Sequence, residues 1–176
     1  MLAGIDFYCR VVEIEAEWVE KGKQIFNSIQ TNGSLITSDW LDFFVENKFV
    51  VGISLDGPAE IHNLLRQTID GNGSFKQVID AAHLLQEADL LSNIICCVST
   101  ANCDYPEQIF DFFTHQGFKR LKFIQVQGRD DRGRLLPYSV TGNQYANFLL
   151  AIFKLWLAQD DPSIEIREIN LSLIHI

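Results

Sequence analysis

Apolar and polar positions along this chain fall into blocks whose period changes several times. Residues 5–20 place Ile5, Tyr8, Val11, Val12, Trp18 and Val19 at helical spacing with acidic residues between them, and Gly22 supplies a stop. Residues 24–30 (QIFNSIQ) predict a short strand closed by Thr31-Asn32-Gly33. Ser38 is placed to cap a second helix, with Asp39 in its first turn and Trp40, Phe43 and Phe44 on one face up to about Asn47. Residues 49–55 (FVVGISL) read as a buried strand that stops at Asp56-Gly57-Pro58. A GNGSF loop (71–75) offers Ser74 as the next N-cap, and the helix beyond it buries Phe75, Val78, Ile79, Ala82 and Leu85. Residues 93–99 (NIICCVS) form a nearly unbroken apolar run, as expected of a strand covered on both faces. Asp104 is placed to cap a helix with Pro106 in its first turn, inner residues Ile109, Phe110 and Phe113, and a stop at Gly117. A fourth strand is predicted over 120–126, and residues 127–140 make a long, charged, aperiodic loop. Thr141 and Gln144 form a capping box for a long helix with Tyr145, Phe148, Leu149, Ile152, Phe153 and Trp156 inward, and a short strand over 164–167 follows.

A helix followed by alternating strands and helices means an α/β fold with a parallel sheet and right-handed crossovers. About four βα units without a Rossmann-type glycine loop suit a partial (β/α) barrel better than an open nucleotide-binding sheet. The first helix has no strand before it in the chain, so the N-terminal strands of such a barrel are expected to be missing, leaving a sheet edge that proteins normally protect.

Composition narrows the class. The 176 residues are 47 % hydrophobic and 21 % charged with a net charge of −9, enough for one domain with a real core. The acidic balance argues against a nucleic-acid partner, because phosphate contacts need clustered Lys and Arg, and here only Arg129, Arg132 and Arg134 lie close together. No apolar run approaches the roughly 20 residues of a membrane span, and the N-terminus lacks the pattern of a secretory signal. Cys9, Cys96, Cys97 and Cys103 fit neither a disulfide framework nor a metal-ligand spacing. Reduced core thiols and a cytoplasmic location are expected.

In a barrel the working groups sit at strand ends. Those ends are Gln30-Thr31-Asn32, Ser54-Leu55-Asp56-Gly57, Ser99-Thr100-Ala101-Asn102 and Val126-Gln127, all polar. They can hydrogen-bond a ribose, an amino-acid zwitterion or a peptide, but offer no nucleophile with a paired base, so triad hydrolysis is unsupported. Asp56 before Gly57-Pro58 reads as a turn former. Beyond that turn, His62 and Arg66 stand four residues apart, on one face of any helix formed there, and Arg66 has no carboxylate at i±4. His83 and His115 fall within helices.

The combination QTNG (30–33), VGISLDGP (51–58), His62 with Arg66, GNGSF (71–75) and SVTxxQY (139–145) resembles the anaerobic sulfatase-maturating enzymes, in the cysteine-rich branch of the radical S-adenosylmethionine superfamily. The resemblance runs from Leu2 to about Asn170, and MLAGIDFY looks like the segment following that family's Gly-Gly-Glu-Pro motif. It implies a partial radical S-adenosylmethionine barrel over 1–170. It also implies chemistry in which a 4Fe-4S cluster on a C-x3-C-x2-C loop cleaves S-adenosylmethionine, and the resulting radical starts oxidation of a Cys or Ser of a target sulfatase to formylglycine. Carried over, Ser54 matches a serine that hydrogen-bonds the cofactor. Arg66 matches an arginine that reaches its carboxylate or ribose region, and Val126 a residue whose backbone meets the adenine. Gln30 and Asn32 would line the cavity wall near cofactor or substrate, with Asp56 bracing the corner beside them.

The departures matter as much. The chain has no C-x3-C-x2-C loop, no Gly-Gly-Glu-Pro and no C-terminal domain for auxiliary clusters; Asn63 and Gly142 stand where the family often has Asp and Pro. No metal ligand and no catalytic residue is therefore assigned. Residues 171–176 (LSLIHI) match the translation of a transposase sequencing adapter and are read as a non-native tail. The expectation is an internal fragment of a sulfatase maturase, inactive alone. The alternatives are a radical maturase of another peptide, or a non-catalytic nucleoside- or peptide-binding module.

Overall fold

The computed structural model describes residues 1–174. Five strands, β1 (Ser28–Thr31), β2 (Val50–Ser54), β3 (Leu91–Val98), β4 (Arg120–Gln125) and β5 (Glu165–Ile166), form one sheet in sequential order. The pairs β1–β2, β3–β4 and β4–β5 are parallel, as the alternation of elements requires. Residues 171–174 continue a helix, while His175 and Ile176, within the stretch read as a tail, lie outside the described residues.

The chain divides into two compact units. The first comprises 1–53 and 77–92. Its α1 (Ile5–Val19) buries no residue fully, yet Tyr8 sets its ring edge-on to Trp40 at 5.4 Å and to Phe49 at 6.5 Å. Trp40, Phe43 and Phe44 are the buried face of α2 (Ser38–Glu46), so the helical stripe read from the sequence is the aromatic core of this unit. The cap differs from expectation. Thr37 is the N-cap and makes no side-chain cap bond, while Ser38 is already the first helical residue. β1 is shorter than the predicted 24–30 because its partner begins late. The register starts at Ser28 opposite Val50, and the Asn27 carbonyl accepts the Val50 N–H, so residues 24–27 have no strand to pair with. Phe26 is consequently 89 % exposed. Gly33, closing the QTNG corner, has φ +77° and a Cβ there would lie 3.2 Å from Ile53 Cδ1.

The second unit comprises 54–76 and 93–176. β3 and β4 pair from Ile94–Leu121 to Val98–Gln125, and Phe110, Phe113, Phe118, Phe123 and Phe148 are its largest fully buried side chains. Phe110 and Phe113 come from α5 (Pro106–His115), whose N-cap is Tyr105 and not Asp104; Pro106 opens the helix, where its missing N–H costs nothing. α6 (Gly142–Gln159) starts with the expected capping box: Gln144 N–H donates to Thr141 Oγ1, and Thr141 N–H to Gln144 Oε1. β5 is only two residues long, and α7 (Arg167–Ile174) follows at once. Beyond β5, side chains take over the edge of β4: Phe123 N–H donates to Glu168 Oε2 at 3.1 Å, and the Tyr145 hydroxyl donates to the Phe123 carbonyl at 2.5 Å. The loop 127–140 is not loose, since Gly128 N–H donates to Ser139 Oγ, Val140 N–H to the Val126 carbonyl and Thr100 Oγ1 to the Pro137 carbonyl.

Candidate functional site at the carboxyl end of the second strand

The corner after β2 is built by backbone geometry first. Leu55 N–H still donates to the Ile95 carbonyl, so the chain leaves the sheet only at Asp56. Gly57 then adopts φ +131° with the space for a Cβ only 3.1 Å from Ile109 Cγ1, which leaves glycine as the unstrained choice. Pro58 is the N-cap of α3 (Ala59–Leu65), and Arg66, extended at φ −103° and ψ 97°, ends it after two turns. Residues 67–73 fold back on themselves through the antiparallel bridge Gln67–Gly73, and Ser74 N–H donates to the Arg66 carbonyl. α4 (Phe75–Glu87) then begins. Its first N–H, at Phe75, donates to Asn63 Oδ1 at 3.0 Å, so Asn63 does the capping that the sequence assigned to Ser74.

Two interlocked sets of polar contacts occupy this corner. In the first, the Arg66 guanidinium forks onto Asp56: Nε donates to Oδ2 at 2.5 Å and Nη2 to Oδ1 at 3.2 Å. Asp56 is only 6 % exposed, and its Oδ1 also accepts the Cys97 N–H at 2.8 Å. Arg66 Nη2 further reaches Cys97 Sγ at 3.4 Å. Burial by itself would lower the Arg66 pKa, but the hydrogen bond and charge of Asp56 prevail and raise it, holding the cation. Desolvation raises the thiol pKa of both Cys96 and Cys97, with the Asp56 charge adding to it, so both are neutral thiols and not nucleophiles.

In the second, His62 is completely buried. Its Nδ1 accepts the Asp56 N–H at 3.2 Å, and its Nε2 meets Ser74 Oγ at 3.1 Å. Ser74 Oγ in turn donates to the Arg66 carbonyl at 3.0 Å. These partners assign the tautomer: Nδ1 must be the acceptor, so the proton sits on Nε2 and is given to Ser74. Desolvation lowers the imidazole pKa from 6.5 to about 4, only partly offset by the Asp56 charge, and the Arg66 charge lowers it further.

The residues singled out from sequence separate as follows. Asp56 and Arg66 come together; the carboxylate that Arg66 lacks at i±4 is supplied ten residues upstream. Ser54 ends β2 half-buried, two residues before Asp56. Val126 has both backbone groups engaged, its N–H by Val98 and its carbonyl by Val140, and it bonds to neither Asp56 nor Arg66. Gln30 and Asn32 belong to the first unit, Gln30 opposite Gly52 on β1 and Asn32 accepting Ser34 N–H in a local turn. Ser74 was legible only as a cap, and Cys97 only as core. Nothing in their sequence spacing links them to Arg66, since Ser74 is brought back to it by the folded loop 67–73 and Cys97 meets it from β3, 31 residues downstream.

Whether the chain offers a metal or cofactor site is a question of donors. Among the described residues no group of three or more His, Cys, Asp or Glu could hold a metal ion. Cys9 is exposed on α1, Cys96 and Cys97 are successive on β3, and Cys103 is buried after it. Three thiolates for one iron–sulfur cluster are not assembled, so such a cluster does not fit these cysteines. A small anionic ligand fits better. Among the described residues Arg66 Nη1 has no protein partner, and the side chain is 23 % exposed, so a cation held rigid by Asp56 keeps one nitrogen for a carboxylate or hydroxyl.

The profile of the radical SAM superfamily matches residues 2–113. The cysteine-type anaerobic sulfatase-maturating enzyme of Clostridium perfringens (strain 13 / Type A) is 38 % identical over 158 residues, covering 89 % of this chain and 42 % of that protein. The serine-type enzyme of Bacteroides thetaiotaomicron is 32 % identical, covering 91 % of this chain and 42 % of its own length. The solved structure of native anSMEcpe with bound AdoMet and Cp18Cys peptide superposes with a TM-score of 0.84 at 33 % identity, covering 96 % of this chain and 48 % of that one. The chain thus spans under half the length of these three relatives.

Proposed function

Since the chain belongs to the radical SAM superfamily, we propose that it supplies strand ends that hold S-adenosylmethionine in a maturase oxidising a Cys or Ser of a target sulfatase to formylglycine. The observation that carries this is the Asp56–Arg66 corner at the carboxyl end of β2, where a guanidinium fixed by a buried carboxylate retains Nη1 for a ligand. The names of the relatives, sulfatase-maturating enzymes of both cysteine and serine types, support the reaction class, and the peptide bound in the solved relative supports a polypeptide partner. When bound, S-adenosylmethionine would supply the radical chemistry. This chain's own residues would orient it: Arg66 through its carboxylate or ribose region, Ser54 through a hydroxyl hydrogen bond, and Val126 through the second lone pair of its carbonyl. Gln30 and Asn32 would stand on the wall near cofactor or substrate. The 4Fe-4S cluster of the full-length family would need cysteines other than these four, so the 176-residue chain by itself is inactive in this reading. Free thiols at all four cysteines fit a reducing, cytoplasmic setting. Among the described residues no helix is long and apolar enough to cross a membrane.

The test is a transplant. Residues 2–170 replace the matching stretch of the Clostridium perfringens enzyme, and formylglycine in a cysteine-containing sulfatase peptide is measured by mass spectrometry. Conversion that is lost with Arg66→Ala supports the reading. A folded, cluster-loaded chimera that cleaves no S-adenosylmethionine refutes it. A chimera that cleaves the cofactor but leaves the sulfatase peptide untouched points to a maturase of another peptide. Saturable binding of S-adenosylmethionine by the isolated chain without iron would favour the non-catalytic nucleoside-binding module.

A further inference from the structure

We infer that His62 is the positioning residue of this corner: one buried imidazole fixes the backbone at both ends of the Asp56–Arg66 pair and thereby sets where the guanidinium points. The fork fixes the guanidinium against the Asp56 carboxylate, but where the joined pair points depends on the two backbones that carry it, because each side chain keeps rotatable bonds of its own and that of Arg66 is 23 % exposed. Here the two backbones are tied independently of the fork. His62 Nδ1 accepts the Asp56 N–H at 3.2 Å, and His62 Nε2–H donates at 3.1 Å to Ser74 Oγ, which donates at 3.0 Å to the Arg66 carbonyl. The imidazole has 0 % exposure, so no water exchanges for these bonds, and its ring packs edge-on against Phe75 with centroids 5.9 Å apart. The charged groups acting on it are Asp56 and Arg66 themselves. Burial keeps the imidazole neutral, with the two charges acting on it in opposite directions, and only the neutral form can accept at Nδ1. A proton there would face the Asp56 N–H, donor against donor, and release that end of the pair.

The role of Arg66 toward a ligand rests on the proposed function, but the tie does not, and the two fail separately. The first readout needs no ligand. In 15N-labelled chain at pH 7, His62 should show an unprotonated Nδ1 and a protonated Nε2; the reverse tautomer overturns the inference. The second is hydrogen exchange of the Arg66 Nε–H. Ser74→Ala, which removes the hydroxyl alone, should speed it about tenfold, the equivalent of one net hydrogen bond, and Ser74→Thr, which keeps the hydroxyl, should restore it. His62→Phe should speed it further with the circular dichroism of the chain retained. Exchange unchanged in Ser74→Ala overturns the inference even where His62→Phe does not fold. If the tautomer and the exchange behave as stated and the chimera still cleaves no S-adenosylmethionine, the positioning stands and the proposed function falls.

Discussion

Acidification should unlock the corner, and the size of the effect follows from His62. Its pKa is about 4 in the folded protein against 6.5 in the unfolded chain, where the imidazole is solvated. A base whose folded pKa is depressed contributes stability fully above pH 6.5. Between 6.5 and 4 the unfolded state binds the proton first, so stability falls with each step downward. The whole shift corresponds to about 3 kcal/mol, and about 2 kcal/mol of it is gone by pH 5. That is a large share of the 5–15 kcal/mol typical of a domain. Urea unfolding followed by far-ultraviolet circular dichroism from pH 7.5 to 4.5 measures the loss. Carboxylates elsewhere also contribute slope, so the quantity that tests the reasoning is the difference between the wild type and His62→Phe. That variant should be less stable at pH 7.5, by about 1–3 kcal/mol for the unsatisfied Asp56 N–H, but flatter toward pH 5. Parallel curves for the two proteins would refute the account, as would a directly titrated His62 pKa of 6 or above.

Three further outcomes follow from the same geometry. Asp56→Asn, which keeps an acceptor for the Cys97 N–H but strands the Arg66 cation, should cost about 2–4 kcal/mol, and adding Arg66→Leu should recover part of that loss in a double-mutant cycle of urea midpoints. Asn63→Asp should stabilise the fold by about 0.5–1 kcal/mol at low salt, because a full negative charge at the α4 N-terminus improves on the amide oxygen that caps Phe75; an effect that survives high salt would contradict this cause. Gly57→Ala should cost about 1–3 kcal/mol, read as a lower thermal midpoint, since φ +131° and the 3.1 Å approach of Ile109 both oppose a side chain.

Periodicity located the elements because each hides one face, and two faces of different period cannot be confused over ten residues. The aromatic face of α2, the inner face of α5 and the capping box of α6 follow directly from residue spacing. Caps were less legible. Ser38, Ser74 and Asp104 all have the right chemistry, yet Thr37, Asn63 and Tyr105 stand at or over the helix starts, because a cap is set by where the chain arrives as well as by its own oxygen. The strand over 24–30 failed at its beginning for a related reason: a strand exists only as far as its neighbour does. At the site, Asp56 and Arg66 could each be picked out by proximity to a strand end, and His62 by its spacing from Arg66. Their joint geometry could not. Partners ten, twelve and forty-one residues apart in the chain meet only through turns that need glycine at 57, for its φ of +131°, and at 73, where a Cβ would collide with the Asn63 side chain.

The edge of β4 carries a consequence for how the polypeptide reaches its native state. Phe123 is closed by the Tyr145 hydroxyl and the Glu168 carboxylate, groups 22 and 45 residues downstream. Neither can arrive until α6 has been synthesised and turned back, and Glu168 only after β5 has paired. During that interval β4 presents an unsatisfied donor and acceptor at Phe123, the condition under which strands join those of other chains. The hazard therefore belongs to a span of time during synthesis and not to the finished molecule, and its length is set by the slow, distant contacts that close it. A ribosome stalled before residue 168 would expose what the folded chain conceals, so chaperone demand should track translation speed through residues 145–168 more closely than it tracks the stability of the folded product.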